Sequence, residues 1–258
     1  MGRLDIYIEI LTFFAYGFIG YIAEVIYCSV GKGHFVNRGF LYGPCIPIYG
    51  FGGIAISIIL TRLKTLPFAP LIIFISSSII ASIVEYIGSW VLEKLFAVKL
   101  WDYSNKRWNI NGRICIRNST LFGLMGLIAV YLVEEPFQEF LYKLPFSVRR
   151  ITSLILLALF SIDFILSTMK MSSFKNALHE ISKKAIALRD KRRYLTSAFR
   201  DKLDSDFASY VERVRRRHRR IIKSFPGATS RFDGIDESIK TLIAKEREVM
   251  DKIKKLKR

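Results

Sequence analysis

The chain has little that would support metal or redox chemistry. Its three cysteines, Cys28, Cys45 and Cys115, are scattered with no C-x-x-C pair, and its histidines, His34, His179 and His218, are isolated. That spacing argues against a zinc site or a disulfide framework, and each cysteine is expected to pack as a small apolar side chain. No G-x-x-x-x-G-K-[ST] or G-x-G-x-x-G stretch occurs, and neither H-E-x-x-H nor G-x-S-x-G is present. Nucleotide hydrolysis, zinc proteolysis and serine-hydrolase chemistry therefore lack their motifs. No cofactor or resident metal is expected, and any ATP hydrolysis has to come from a separate chain. A soluble balance of charge is also missing: the first 169 residues are poor in charge and net +4, while the last 89 are net +14.

What fills the first two thirds is apolar. A helix needs roughly 20 mostly apolar residues to cross the hydrocarbon core, and about five runs approach this: 6–30, 43–60, 68–97, 119–133 and 151–169. The expected fold class is all-α, a polytopic membrane bundle of about five transmembrane helices (1–170) followed by a basic helical tail (171–258). The first run is too long for a signal peptide and no small-x-small site follows it, so it reads as a retained span. Lys and Arg favour the cytoplasmic side, which places the tail inside and the N-terminus outside. Loops 31–42 and 98–118 then fall inside, and loops 61–67 and 134–150, the latter with Glu134, Glu135 and Glu139, fall outside. Pro44 and Pro47 forbid a regular helix near residues 40–49, which leaves a re-entrant segment open there.

Ionisable groups inside spans are costly unless paired or wetted, which makes Glu24, Glu85, Glu93 and Asp163 functional candidates. Glu9 sits near the outer end of the first span. A loose internal repeat relates the two halves. Glu24 precedes Asn37-Arg38-Gly39 and Gly50-Phe51-Gly52-Gly53, and Glu93 precedes Asn111-Gly112-Arg113 and Gly123-Leu124-Met125-Gly126. Such a parallel duplication places Glu24 and Glu93 across a shared centre with Arg38 and Arg113. Candidate substrate-binding residues are Glu24, Glu85, Glu93, Asn37, Arg38, Asp102, Asn111, Arg113 and Arg117, the arginines suiting an anionic group. The loops that carry them are rich in Gly39, Tyr42, Gly43, Pro44, Pro47, Tyr49 and Gly50, and in Trp101 and Tyr103. Fixed turns and interfacial aromatics explain that composition, and a docking face for a cytoplasmic partner fits it as well.

In the tail, apolar residues recur at three- and four-residue steps from Phe174 to Val214, which predicts an amphipathic helix to about Ser224. Phe225-Pro226-Gly227 breaks it, and Ile235, Ile239, Leu242, Val249, Ile253 and Leu256 mark a second helix, so a hairpin or short coiled coil is expected. The arginines Arg213, Arg215, Arg216, Arg217, Arg219 and Arg220 suit anionic membrane lipid. Without interleaved aromatics for base stacking, no nucleic acid is expected.

The stretches Gly20-Tyr21-Ile22-Ala23-Glu24, Asn37 through Gly50, Glu93-Lys94-Leu95-Phe96, Trp101-Asp102-Tyr103-Ser104 and Asn109 through Cys115 resemble an ABC-transporter type IV, CmpB-like family of bacterial integral membrane proteins. The resemblance spans roughly residues 8–135. It implies a permease-like subunit in the bacterial cell membrane, a homo- or hetero-oligomer beside a separate ATPase, moving an amphipathic or lipid-linked substrate. Two other readings stand beside it. One is an enzyme acting on lipid headgroups, with Glu24, Glu93 and Asp102 holding a divalent metal. The other is an anchor whose tail recruits partners.

Overall fold

The structure, a computed structural model, describes residues 5–33, 35–191, 197–225 and 228–230. His34 and the second tail helix expected over 235–256 lie outside the described residues. The chain is all-α apart from two-residue strand pairs, and five helices are long and apolar enough to span a membrane: Ile6–Val30, Pro47–Thr65, Ala69–Phe96, Ile116–Lys143 and Phe146–Ala187. Their outward faces are greasy. On α3 (Ala69–Phe96), Ile75, Ile79, Ile83 and Ile87 form an exposed stripe at four-residue spacing. A helix in water would bury such a stripe, whereas lipid accepts it.

Several boundaries differ from the sequence reading. α1 (Ile6–Lys32) is capped by the Asp5 side chain on the Tyr7 N–H and closed by left-handed Gly33. The second helix, α2 (Pro47–Ala55), starts at Pro47 rather than 43, because proline suits the first helical turn. It continues through a π-helical turn (Ile56–Leu60) and a 3-10 turn (Thr61–Thr65). The fourth helix starts earlier than expected and runs much further. α4 (Ile116–Ile128) passes through a second π-helical turn (Ala129–Val133) into α5 (Glu134–Lys143). The expected outer loop 134–150 is therefore mostly helix. Glu134 does not break it, because its carboxylate is buried and hydrogen-bonded inside the bundle. α6 (Phe146–Lys191) runs unbroken from the last span into the tail, since no Gly or Pro interrupts it. The amphipathic stretch beyond is α7 (Ser197–Arg217) and, past an interruption at His218, α8 (Arg219–Ser224).

Two compact units emerge. The first comprises Met1–Trp90 and Tyr103–Ser167, the second Val91–Asp102 and Thr168–Arg258. In the second, Val98 and Lys99 (β1) pair with Ser230 and Thr229 (β4), and the Lys175 Nζ donates to the Leu95 carbonyl at 3.0 Å. His218 packs on the Phe174 ring at 5.2 Å, and burial, with Lys170 and Arg217 nearby, pushes its pKa down to about 4.

Glycine sets the packing of the first unit. The Tyr49 ring of α2 lies on Gly20 of α1, and the Tyr16 ring of α1 lies on Gly53 of α2. A Cβ at Gly20 would come within 2.2 Å of the Tyr49 ring, and one at Gly53 within 2.3 Å of Tyr16. α4 meets α3 in the same manner, with Gly123 against Phe74 and Ser78 and Gly126 against Ser77. Lipid supplies no hydrophobic drive between helices, so close approach over small residues does the work. Both Gly-x-x-Gly helices thus pack on the helix before them, and each passes into a π-helical turn, at Ile56 and Ala129.

Candidate functional site

The segment between α1 and α2 positions the site. Residues 35–46 are non-helical and run back along α1: Val36 N–H donates to Ser29 Oγ at 3.0 Å, and Ile46 N–H donates to the Gly17 carbonyl at 3.0 Å. Ser29 and Gly17 lie about 18 Å apart along a helix rising 1.5 Å per residue, so this irregular backbone returns to the middle of the first span. Backbone at that depth needs partners from the protein. Asp163 of α6 supplies them, accepting from Tyr42 N–H (2.8 Å) and Gly43 N–H (2.7 Å), while Ser167 Oγ donates to it at 3.0 Å. Asp163, a candidate by its depth, is thereby a cap for the returning segment.

That return carries Arg38 and Tyr49 to the upper part of α1. Glu24 Oε1 accepts from Tyr49 OH at 2.9 Å, and its Oε2 faces Arg38 Nε at 3.7 Å. Cys28 Sγ lies 3.6 Å from Glu24 Oε2 and 3.4 Å from Arg38 Nη1. From α3, Glu85 is 6% exposed; its Oε1 accepts from Tyr103 OH at 3.3 Å, and its Oε2 has no hydrogen-bond partner among the described residues. Burial pushes the Tyr103 phenol well above its ordinary pKa. The Glu85 and Glu24 charges add to this and Arg38 opposes it. The phenol therefore stays protonated and donates. Glu24 and Arg38 thus pair, and Tyr103, hydrogen-bonded to Glu85, feels the charges of all three.

The other sequence candidates make contacts of their own. Asn37 accepts from Tyr21 OH at 2.9 Å. Asn111 and Gly112 (φ 52° and 67°) turn a hairpin of Asn109–Ile110 (β2) on Ile114–Cys115 (β3), the Asn-Gly turn that left-handed backbone favours. Asn111 Nδ2 donates to Tyr86 OH at 2.9 Å, and the Arg113 guanidinium lies 5.1 Å from the Tyr86 ring centre. Arg117 is exposed on the first turn of α4. Glu93, buried, Trp101 and exposed Asp102 belong to the second unit. Among the described residues, no three His, Cys, Asp or Glu side chains gather as a metal site. In the tail, Glu212 binds Arg215 at 2.6 Å and Arg216 at 3.2 Å, while Arg213, Arg216, Arg217 and Arg219 have exposed side chains.

Sequence reasoning missed a second polar centre. Glu134, 2% exposed, accepts from Tyr16 OH at 2.6 Å, from Gln138 Nε2 at 2.9 Å and from Ser57 Oγ. Gln138 also donates to Thr12 Oγ1 at 3.3 Å. The four-residue spacing of Glu134 and Gln138 was the available signal. An apolar cavity of about 220 Å³ separates the two centres, bounded by Tyr49 and Tyr16 and walled by Ile19, Ile48, Ala81, Val84 and Phe122. A second, of about 500 Å³, lies between α1, the returning segment, α5 and α6, against Leu41, Pro44, Phe137 and Phe160.

No protein of curated function and no solved structure matches the chain. A family model described as "Putative ABC-transporter type IV" matches residues 11–168, more than half of the chain. The chain is a multi-spanning membrane protein, and it belongs to that ABC-transporter type IV family.

Proposed function

We propose that the protein is a permease-type subunit that moves an amphipathic substrate through its first unit, driven by a separate ATPase. The carrying observation is the apolar cavity of about 220 Å³ that abuts the Glu24–Glu85 centre: Tyr49 lines the cavity and also donates to Glu24. A polar group beside an apolar hollow of this kind suits a molecule with a polar end and an apolar body. The family name supports the link to an ABC transporter, and the chain's lack of a phosphate-binding loop leaves ATP hydrolysis to a partner.

The remaining parts of the proposal rest on charge. The basic tail favours a cytoplasmic C-terminus and an outer N-terminus. The exposed arginines of α7 and α8 meet anionic lipid there, each contributing about 1 kcal/mol near the surface. The subunit works as an oligomer in a bacterial cell membrane, with 1–170 as its spanning domain and 171–258 as its tail. The test is ATP-driven movement of a fluorescent amphiphile in vesicles that hold the chain and its ATPase. Glu85→Gln abolishes movement while the protein stays inserted; movement at the wild-type rate in that variant removes Glu85 from the site.

A further inference from the structure

The arginines of the motif loops suggest, by sequence, a substrate with an anionic end. The arrangement of charges argues the reverse. Arg38 is already set against Glu24, at 3.7 Å, and its Nη1 is 3.4 Å from Cys28 Sγ. Arg113 lies over the Tyr86 ring, near the Tyr86 hydroxyl at 3.5 Å. Of the two carboxylates, Glu24 is the one that a basic side chain, Arg38, reaches among the described residues. Glu85 keeps one buried oxygen, Oε2, with no hydrogen-bond partner there. With Arg38 on Glu24, Glu85 has no basic partner among the described residues, and because a carboxyl at this depth carries its charge only beside a cation, a cation is the ligand that would pair with it.

Two tyrosines flank these carboxyls. Tyr49 and Tyr103 hold their hydroxyls on Glu24 and Glu85, at 2.9 and 3.3 Å, which brings both rings to the same group of carboxylates. A carboxyl with no basic partner recognises an ammonium group by charge, and the two neutral phenols beside it bring no competing cation. The apolar wall begins one helical turn away: Ala81 and Val84 of α3 precede Glu85, Ile48 adjoins Tyr49, and all three line the 220 Å³ cavity.

We infer that the Glu24–Glu85 centre binds the cationic end of an amphipathic amine or quaternary ammonium compound, with its hydrocarbon part in the adjoining cavity. The inference rests on the permease reading for its role in transport and on the charge balance for its ligand.

The experiment measures equilibrium binding to the purified full-length chain in lipid nanodiscs, using decyltrimethylammonium and decyl phosphate as probes below their micellar concentrations. The expected result is binding of decyltrimethylammonium that decyl phosphate does not displace, weakened about tenfold or more by Glu85→Gln, as loss of a charge-assisted contact requires. Equal or tighter binding of decyl phosphate overturns the inference, as does an unchanged decyltrimethylammonium Kd in Glu85→Gln. Should that variant not fold, the competition between the two probes on the wild-type chain decides alone. Vesicle transport separates the two claims. Cation binding without ATP-driven movement overturns the permease reading and leaves the ligand class standing. ATP-driven movement of decyl phosphate with the cation ignored does the opposite.

Discussion

Among the described residues of the first unit, the buried acids Glu134 and Glu85 are built on opposite plans. At Glu134 both carboxylate oxygens are occupied by neutral donors, Tyr16 on one and Ser57 and Gln138 on the other, drawn from α1, from the π-helical turn after α2 and from α5. At Glu85 one oxygen has a single donor and the other has none among the described residues. A saturated network rigidifies and specifies a fold, whereas an unsaturated one stores a binding capacity. The difference separates a knot that ties helices together from a site that awaits a ligand, although both present themselves as an acid in a membrane span.

Substitutions can break or sharpen that contrast. The largest effect on stability belongs to Glu134→Ala, which strands the buried Tyr16 and Ser57 hydroxyls and lowers stability by about 3 kcal/mol or more. Thermal unfolding in detergent reads this, and a midpoint equal to wild type removes the knot. Gly20→Ala drives a methyl into the Tyr49 ring. It costs about 1–3 kcal/mol as overpacking, and it pulls Tyr49 off Glu24, so binding at the upper centre falls with it. Asp163→Asn keeps one acceptor for the returning segment and sets an amide N–H against the other backbone donor. It costs about 1–2 kcal/mol, seen as faster proteolysis at residues 35–46. Glu85→Gln has the smallest effect: Gln still accepts from Tyr103 in the same space, so stability changes by less than about 1 kcal/mol, while cation binding weakens about tenfold or more and movement is lost.

Much of this was legible before any coordinates. Apolar runs long enough for a bilayer located all five spans, and of the residues singled out by depth and motif, Glu24 and Arg38 lie 3.7 Å apart while Glu85 is buried on Tyr103. Two things escaped. Glu134-Glu135-Pro136 reads as a polar loop, because charge and proline together signal a turn; burial by Tyr16 and Ser57, 118 and 77 residues away, reverses that locally sensible reading. The course of residues 35–46 was open as well. Pro44 and Pro47 announce the absence of a helix, but the acceptor that lets the backbone return into the bundle is Asp163, 120 residues from Gly43. The role of the arginines was likewise hidden, because a sequence shows that they are present and not that Glu24 and the Tyr86 ring already engage them.

The measurement that bears most directly on the contrast is the unfolding midpoint of Glu85→Gln taken beside its transport activity in the same vesicles. The account requires a midpoint close to wild type together with lost transport. A midpoint lowered as far as that of Glu134→Ala, with transport falling only in proportion to folded protein, would make Glu85 a second knot and leave the bundle without the site proposed for it.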